Sequence, residues 1–415
     1  MRAINHKLQR ELWQMRGQAM AITLVIASGI ATYVMSLSAL DSLLLTRDIY
    51  YRDYRFAEVF ASLKRAPESL ASRIREIPGV ARVETRVVAS VTLDVAGFAD
   101  PVSGLLISVP DFSEPLLDRL YLRQGRMVRP ERDDEVLVHE TFAQAHGLNT
   151  GDTLAAVING RRKQLRIVGI ALSPEYVYQL APGSTVPDFK RFGVLWMVRT
   201  PLASAYDMES AFNNVTLTLA PRTQLEDVLD QLDTMLDRYG GQGAYGRKDQ
   251  ISHHFLAEEL HQLETLATLF PIIFFGVAAF LLNVVVTRLI GQQREEIAAL
   301  KAFGYSNLDV GLHYVKLVVV VVLIGILIGL AGGVWLGRSL SGVYMEFYRF
   351  PFLNYELRPV VVATAALISI GVAVLGTLRS VRAAAQLPPA QAMRPEPPGA
   401  YREALIERVG LKRFL

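Results

Sequence analysis

The chain has 415 residues, of which 51% are hydrophobic and 20% are charged, and its formal net charge is +3. That hydrophobic fraction exceeds the usual share of a soluble domain, and the small net charge gives no support for a nucleic-acid partner. The sequence contains no cysteine, which excludes disulfides and thiolate metal sites.

Four apolar runs predict four transmembrane helices, because each approaches or exceeds the roughly 20 residues needed to cross a bilayer. The runs cover 19–40, 267–287, 312–336 and 360–378. The first run follows a basic tail, but it is longer than the roughly 7–15 residues of a signal-peptide core and no clean Ala-x-Ala site follows it. We therefore expect an uncleaved anchor in preference to a cleaved signal peptide.

Basic residues place both ends of the chain in the cytoplasm by the positive-inside rule. The N-terminal tail carries Arg2, Lys7, Arg10 and Arg16 against one acidic residue, and the stretch after the last run is also rich in arginine. The parity of four spans then puts the large middle region on the outer side of the membrane. The expected organisation is a cytoplasmic tail (1–18), the first span (19–45), an outer domain (46–263) with a β-rich insertion near 110–200, a stalk and second span (264–290), a cytoplasmic segment (291–310), the third span (311–337), a short outer loop (338–358), the fourth span (359–379) and a cytoplasmic linker or tail (380–415).

The outer domain is predicted to be α+β. A strand over 56–63, a helix over 68–77 and a long strand over 83–95 form one unit, and a strand over 215–219 with a helix over 224–239 forms a second. These two units can pair in one sheet, as a split α+β module. Between them, the insertion is predicted from strands at 135–138, 152–158 and 164–170, a helix at 141–146 and an Asn159-Gly160 hairpin turn.

A loop over 173–191 carries Tyr176 and Tyr178. These tyrosines either contact a partner or, as the simpler interpretation, pack on their own domain. From 250 onward an apolar helical pattern runs into the second span with no glycine or proline before Pro271, which predicts a stiff stalk helix. His254, Glu258 and His261 share a face of that helix, where a solvated surface is favoured over a metal site.

Glycines recur at every fourth position of the third span, which places them on one face where another helix can approach closely. The four are Gly325, Gly329, Gly333 and Gly337. Their spacing leaves open whether the neighbouring helix belongs to this chain or to a second protomer. Asn283 is the one amide deep in the second span, and interhelical hydrogen bonding explains it more simply than a substrate path. His313, near a span end, is expected to reach the membrane interface.

The cytoplasmic segment 292–303 has the composition of a short helix that ends at Gly304. Its apolar residues are Ile297, Leu300 and Phe303, and its charged residues include Arg294 and Glu296. Such a helix either rests on the membrane surface or docks into a groove of another protein.

This segment resembles the FtsX-like permeases, the family that includes macrolide-efflux and lipoprotein-releasing permeases of ABC systems. The similar stretch runs from Arg294 to Ser306, with its Arg-Glu-Glu-Ile, Leu-Lys-Ala and Gly-Tyr-Ser elements. The layout of one span plus three, the glycine-rich third span and the pair Gly125-Arg126 and Glu135-Val136 are also similar to the family. The resemblance implies an α-helical membrane protein with four transmembrane helices and a large extracytoplasmic α+β domain inserted between the first two.

The resemblance further implies a permease of the bacterial inner membrane that dimerises with a second protomer or module. It also implies a separate cytoplasmic ABC ATPase, which docks on the permease and binds ATP and Mg²⁺. By this resemblance, the coupling site consists of Arg294, Glu296, Ile297, Leu300, Phe303 and Gly304. The residues expected to touch the ATPase are Glu296, Leu300 and Phe303. Some family members hold two such modules in tandem, and Pro388 and Pro389 suit a linker to a second module, so this chain is either a short permease or half of a longer one.

The sequence contains no Walker-type phosphate loop and no hydrolase or zinc-protease motif, so we expect neither an enzyme nor a bound cofactor in this chain. The predicted function is transport or mechanotransmission of a lipid-like, lipoprotein, peptide or drug substrate, with membrane lipids and an extracytoplasmic adaptor or substrate protein as further partners. The alternative is a membrane-anchored scaffold or sensor that regulates an extracytoplasmic enzyme without ATP. A channel is a third possibility.

Overall fold

A computed structural model describes residues 2–386, and the chain divides into two compact units. The helices are α1 Arg2–Gln14, α2 Arg16–Asp53, α3 Leu70–Arg75, α4 Glu140–His146, α5 Arg199–Ala205, α6 Leu225–Leu236, α7 Ile251–Gln292, α8 Arg294–Ala302, α9 Asn307–Phe347 and α10 Pro359–Gln386. The strands are β1 Val59–Pro67, β2 Val80–Arg86, β3 Val88–Asp94, β4 Val102–Val109, β5 Tyr121–Gly125, β6 Glu135–His139, β7 Thr153–Ile158, β8 Arg161–Leu172, β9 Phe192–Val198, β10 Ala211–Leu219 and β11 Tyr245–Gly246.

The first unit is helical and comprises, within the described residues, 2–34, 267–335 and 358–386. Four helices, α2, α7, α9 and α10, are long and apolar enough to cross a membrane by length and composition. The large α/β region lies in the sequence between the first and second of them. This arrangement confirms the predicted fold class.

The glycine face of α9 packs against α2 of the same chain. A methyl group added at Gly325 would lie 2.9 Å from Ile26 Cγ2, and one added at Gly329 would lie 2.7 Å from Ile30 Cβ. Gly333 makes the same kind of approach one turn later. Because these separations are shorter than any ordinary carbon–carbon contact, only glycine lets the two helices come this close. The helix that meets this face is therefore intrachain.

Helices α7 and α10 are joined by polar groups. The Ser380 hydroxyl donates a hydrogen bond of 2.9 Å to Asn283 Oδ1 and lies 2.7 Å from the Thr287 hydroxyl. Asn283 therefore makes the interhelical hydrogen bond that the simpler interpretation of its position predicts. Gly376 of α10 contacts α7 at Ala279, where an added methyl group would lie 3.0 Å from the carbonyl oxygen.

The second unit comprises residues 35–266 and 336–357 and contains two sheets. The first sheet has the antiparallel order β11-β1-β10-β2. Helices α3 and α6 cover it, and Ile74 and Leu232 are fully buried in the shared core. The two strand–helix units that are far apart in the sequence thus meet in one sheet, as the split module predicts.

The second sheet closes on itself. Its order is β5-β8-β6-β9-β4-β3-β7, and β8 also pairs with β7, so six strands form a barrel with β5 at its edge. The 12-residue β8 makes this closure possible because it is long enough to pair with β5, β6 and β7. Inward-facing aliphatic residues fill the interior, among them Leu106, Leu165 and Leu195.

The predicted single strand over 83–95 is wrong. The chain changes sheets at Val87, so β2 belongs to the first sheet and β3 to the second. Val87 is buried and its N–H donates a hydrogen bond of 2.8 Å to the Ser108 hydroxyl, outside either strand ladder. The β-rich region consequently begins at Val88, earlier than the predicted 110.

A buried ion cluster joins the two sheets where β2 ends. The Arg86 guanidinium donates to both carboxylate oxygens of Glu175, at 2.7 and 3.1 Å, and lies 3.5 Å from Asp118. Asn214 on the neighbouring strand accepts from Arg86 Nε at 2.9 Å. Burial and the charge of Glu175 raise the pKa of Asp118 to about 7, although Arg86 and the N–H of Ala57 act in the opposite direction.

Two sequence signals have clear structural reasons. Asn159 and Gly160 both have positive φ, 45° and 76°, as the tight hairpin turn between β7 and β8 requires. Gly125 has φ +80°, and Arg126 beside it forms a bidentate ion pair with Glu135 at 2.7 and 2.5 Å. The two family-like motifs, Gly125-Arg126 and Glu135-Val136, therefore contact each other through this ion pair at the edge of the barrel.

The tyrosines of the 173–191 loop pack on their own unit. Tyr178 stacks on Tyr348 with ring centroids 5.1 Å apart, and Tyr176 meets Trp196 edge to face at 6.4 Å. Both tyrosines are half-buried. This packing agrees with the simpler interpretation, that the tyrosines pack on their own domain.

Candidate coupling site

The predicted coupling segment forms helix α8, which has one covered face. Ile297 and Ala298 are fully buried, whereas Glu295 and Glu296 are exposed and Arg294 and Leu300 are half-buried. The helix ends at Ala302 with Phe303 as its C-cap, and Gly304 follows with φ +90°, a conformation that favours glycine. Ile297 therefore attaches the helix to the rest of the helical unit, whereas Glu296, Leu300 and Phe303, the three residues predicted to touch an ATPase, keep exposed surface.

A buried polar network fixes the start of α8. Glu11 on α1 accepts a hydrogen bond of 2.9 Å from the Gln293 amide and contacts His313 Nε2 on α9 at 2.8 Å. Tyr314 donates to Gln293 Oε1 at 2.8 Å. The side chains of Glu11 and His313 are only 2% and 4% exposed. The network thus connects α1, the residue preceding α8, and α9.

A second contact from α1 reaches α8 itself. Lys7 pairs with Glu296 at 2.5 Å and with Glu11 at 3.3 Å. Burial alone would raise the pKa of Glu11, but the hydrogen bond and charge of His313, with Lys7 and Gln293, lower it below the ordinary value. Glu11 is therefore ionised at neutral pH and serves as the centre of the network.

The turn after α8 presents apolar side chains to solvent. Phe303 is 84% exposed and Leu308 is 73% exposed, although both are large hydrophobic residues. The turn between them is ordered by a cap, because the Asp309 carboxylate accepts from the N–H of Ser306 at 3.0 Å and from its hydroxyl at 2.6 Å. An ordered turn that exposes a phenylalanine and a leucine has the features of a docking surface.

Glu11, Lys7 and His313 are functional candidates that the sequence reasoning missed. His313 is buried in the network and does not extend to an interface as predicted. The available signal was the Lys7–Glu11 pair at helical i, i+4 spacing inside an otherwise basic tail. Nothing in the spacing indicated that this pair would meet residues about 300 positions away.

The stalk residues His254, Glu258 and His261 form no metal-binding set in the structure. Among residues 2–386, no group of three histidine or carboxylate side chains is arranged to hold a metal ion. His261 lies 3.7 Å from Glu264, one turn along the same helix.

Comparisons with known proteins match both parts of the chain. The MacB-like periplasmic core domain matches residues 17–235, and the FtsX-like permease C-terminal domain matches residues 268–389. No curated protein sequence gives a significant match.

Solved structures to which the chain is similar include three separate domains. The extracellular domain of the noncanonic ABC-type transporter YknZ from Gram-positive bacteria has 11% identity and a TM-score of 0.30, and the match covers 46% of this chain and 98% of that one. The periplasmic region of MacB from Actinobacillus actinomycetemcomitans has 11% identity and a TM-score of 0.31, with 51% and 95% covered. A domain of a permease-like protein from Porphyromonas gingivalis has 17% identity and a TM-score of 0.28, with 46% and 90% covered.

The four apolar helices and the inserted α/β region define a membrane permease of the ABC transporter class. The chain belongs to the family of FtsX-like permeases with a MacB-like periplasmic core domain, whose core-domain match alone spans more than half of its length. It is an inner-membrane protein with its large domain outside. Membership implies an ABC ATPase partner and dimerisation, and members of this family are typically non-enzymatic transporter subunits.

Proposed function

We propose that this chain is the permease subunit through which a separate cytoplasmic ATPase moves the extracytoplasmic domain. ATP and Mg²⁺ bind in the ATPase, and the chain's two ends and its 291–310 segment lie on the same side as that subunit. The work done outside is export, extraction or release of a lipid-like, lipoprotein, peptide or drug substrate. A second protomer or module completes the transporter.

The observation that supports this proposal most directly is the contrast along α8. Ile297 is buried and Glu11 fixes the helix start, while Phe303 is 84% exposed at the other end. A helix that only rested on lipid would need no buried ion network at its base. A helix that transmits the movement of a partner subunit needs a rigid attachment to its own chain and an exposed apolar surface for that partner.

Continuity of the helices supports transmission beyond that surface. Helices α2, α7 and α9 each contribute residues to both compact units without a break in helical structure. Pro271, the proline inside α7, lies 20 residues from its start and does not end it. A force on the cytoplasmic ends therefore has three covalent, helical routes toward the outer unit.

The test is ATP hydrolysis by an ABC ATPase that co-purifies with this chain, measured with the chain reconstituted in proteoliposomes. We expect the chain to change the hydrolysis rate, and Phe303→Asp or Leu300→Asp to abolish that change. Phe112→Asp is the matched control, because Phe112 is equally solvent-accessible at 90% but lies in the outer unit. An unchanged rate with the wild-type chain would refute the proposal and favour the scaffold or sensor alternative.

A further inference from the structure

The outer unit contains an open cleft of about 680 Å³ that is not accounted for by the coupling function. Its walls come from the end of α2, the start of β2, the segment after β10 and the turn after β11. Its volume lies within the range of roughly 300–1,000 Å³ that small-molecule sites have.

Positive charge dominates the lining of this cleft. Four arginines line it, and the acidic residues are Asp48 and Glu58. Both carboxylates are engaged, since Asp48 pairs with Arg47 at 2.8 Å and Glu58 accepts from the Leu219 N–H at 2.7 Å. The four lining arginines are Arg52, Arg55, Arg82 and Arg247.

Three of these arginines form no ion pair with a carboxylate, although the charge of Glu58 acts on Arg247 from a longer distance. Within residues 2–386, no carboxylate lies within ion-pair distance of Arg55, Arg82 or Arg247, whereas Arg52 pairs with Asp53 at 2.8 Å. An unpaired guanidinium offers a planar set of N–H donors that matches phosphate and carboxylate geometry. The cleft therefore has the charge and the donors of an anion site.

Arg247 is held in place as a fixed donor. Its Nε donates to the Ala57 carbonyl at 2.8 Å and one terminal nitrogen donates to the Phe56 carbonyl, while the guanidinium lies 5.0 Å from the Phe56 ring centroid. The other terminal nitrogen makes no hydrogen bond to a described residue. Burial lowers the pKa of Arg247, but an arginine in this position stays protonated at neutral pH.

The backbone at Arg55 is strained in a way that keeps a long cation at the cleft. Its φ of 51° lies in the left-handed region, which costs a non-glycine residue about 1 kcal/mol or more. The turn is fixed because the Arg55 carbonyl accepts from the Asp118 N–H at 3.0 Å. Glycine or asparagine would adopt this conformation more easily, yet an arginine occupies it.

The cleft lies about two helical turns beyond the apolar part of α2. Seven residues separate Leu45 from Arg52, a rise of about 10 Å. Lipid headgroups extend roughly 5–8 Å beyond the hydrocarbon on each side, and an arginine side chain can cover the remaining distance. Leu219 and Pro221 give the same cleft an apolar wall.

We propose that this cleft binds the phosphodiester of an anionic lipid or lipid-like substrate at the outer face of the inner membrane. Arg55, Arg82 and the free nitrogen of Arg247 donate to the phosphate oxygens, and the apolar wall contacts the glycerol or the first acyl carbons. This inference deepens the proposed function by naming the chemical class of ligand, and it rests on the outside placement of the domain. It does not depend on coupling to an ATPase.

The test is isothermal titration calorimetry, in which the binding of three probes to the purified full chain is measured in a non-ionic detergent. These are dihexanoyl-phosphatidylglycerol, dihexanoyl-phosphatidylcholine and sodium phosphate. We expect the anionic lipid to bind most tightly, and Arg55→Gln and Arg82→Gln each to weaken it about tenfold, as loss of one charged hydrogen bond does. Arg75→Gln is the matched control, because Arg75 is exposed on α3 away from the cleft.

Two results would overturn the inference. Equal binding of sodium phosphate and the anionic lipid would make the cleft a free-phosphate site, and an equal loss with Arg75→Gln would show a response to bulk charge alone. ATPase stimulation is a separate readout. A chain that stimulates hydrolysis normally but binds no anionic lipid refutes this inference and leaves the proposed function intact.

Discussion

Replacing Gly329 by alanine tests the close contact between α9 and α2. The added methyl group would lie 2.7 Å from Ile30 Cβ and 2.8 Å from the Ala27 carbonyl oxygen. Carbon atoms normally rest about 3.5–4.0 Å apart, so the two helices must separate by roughly 1 Å. Overpacking of this kind costs about 1–3 kcal/mol, which opposes the gain of about 1 kcal/mol that alanine gives over glycine in a helix.

Gly371→Ala is the matched control for this substitution. Gly371 lies within α10, and an added methyl group there meets nothing within 4 Å, so only the helix-propensity gain applies. We expect Gly329→Ala to be less stable than Gly371→Ala by about 1–3 kcal/mol, measured by thermal unfolding of the purified chains in the same detergent. Equal midpoints for the two variants would refute the intrachain contact.

Three further predictions concern the ion pairs. Arg86→Met leaves Glu175 buried and unpaired and should destabilise the outer unit by about 3–5 kcal/mol, seen as a lower unfolding midpoint, whereas an unchanged midpoint would show that the cluster is dispensable. Glu135→Gln should cost about 1 kcal/mol, a value discounted because Arg126 is partly exposed. Because the pKa of Glu135 is lowered from 4.5, the difference in stability between the wild type and Glu135→Gln should be present above about pH 5 and be lost as the pH falls below 4.5. A stability difference that does not change with pH would contradict this prediction. Glu11→Gln should weaken ATPase stimulation while leaving lipid binding unchanged, and full stimulation would remove the network from the transmission route.

Patterns within one element gave correct predictions. The four apolar runs, the Asn159-Gly160 turn and the glycine spacing on α9 each depend on a local period or a short turn signal, which one sequence contains. The stop of α8 at Gly304 is of the same kind. Most element boundaries agreed to within a few residues for this reason.

Patterns that depend on distant neighbours were not recoverable. Residues 83–95 read as one strand because their β-branched character is continuous, and only the pairing partners on either side of Val87 reveal the change of sheet. His313 looked like an interfacial residue because its partner, Glu11, lies 302 positions earlier in the chain. The arginine cleft was likewise invisible, since Arg82 and Arg247 come from elements that the sequence does not show to be adjacent.

The coupling surface at Phe303 and the outer domain that contains Phe112 should lie on opposite sides of the membrane. The chain has no cysteine, so single-cysteine variants report one position each without a background. Phe303→Cys and Phe112→Cys place the thiol at side chains that are 84% and 90% exposed. In spheroplasts treated with a membrane-impermeant maleimide, we expect the Phe112→Cys protein to be labelled at once and the Phe303→Cys protein only after lysis. Labelling of Phe303→Cys in intact spheroplasts would put the coupling surface out of reach of any ATPase and contradict the mechanism.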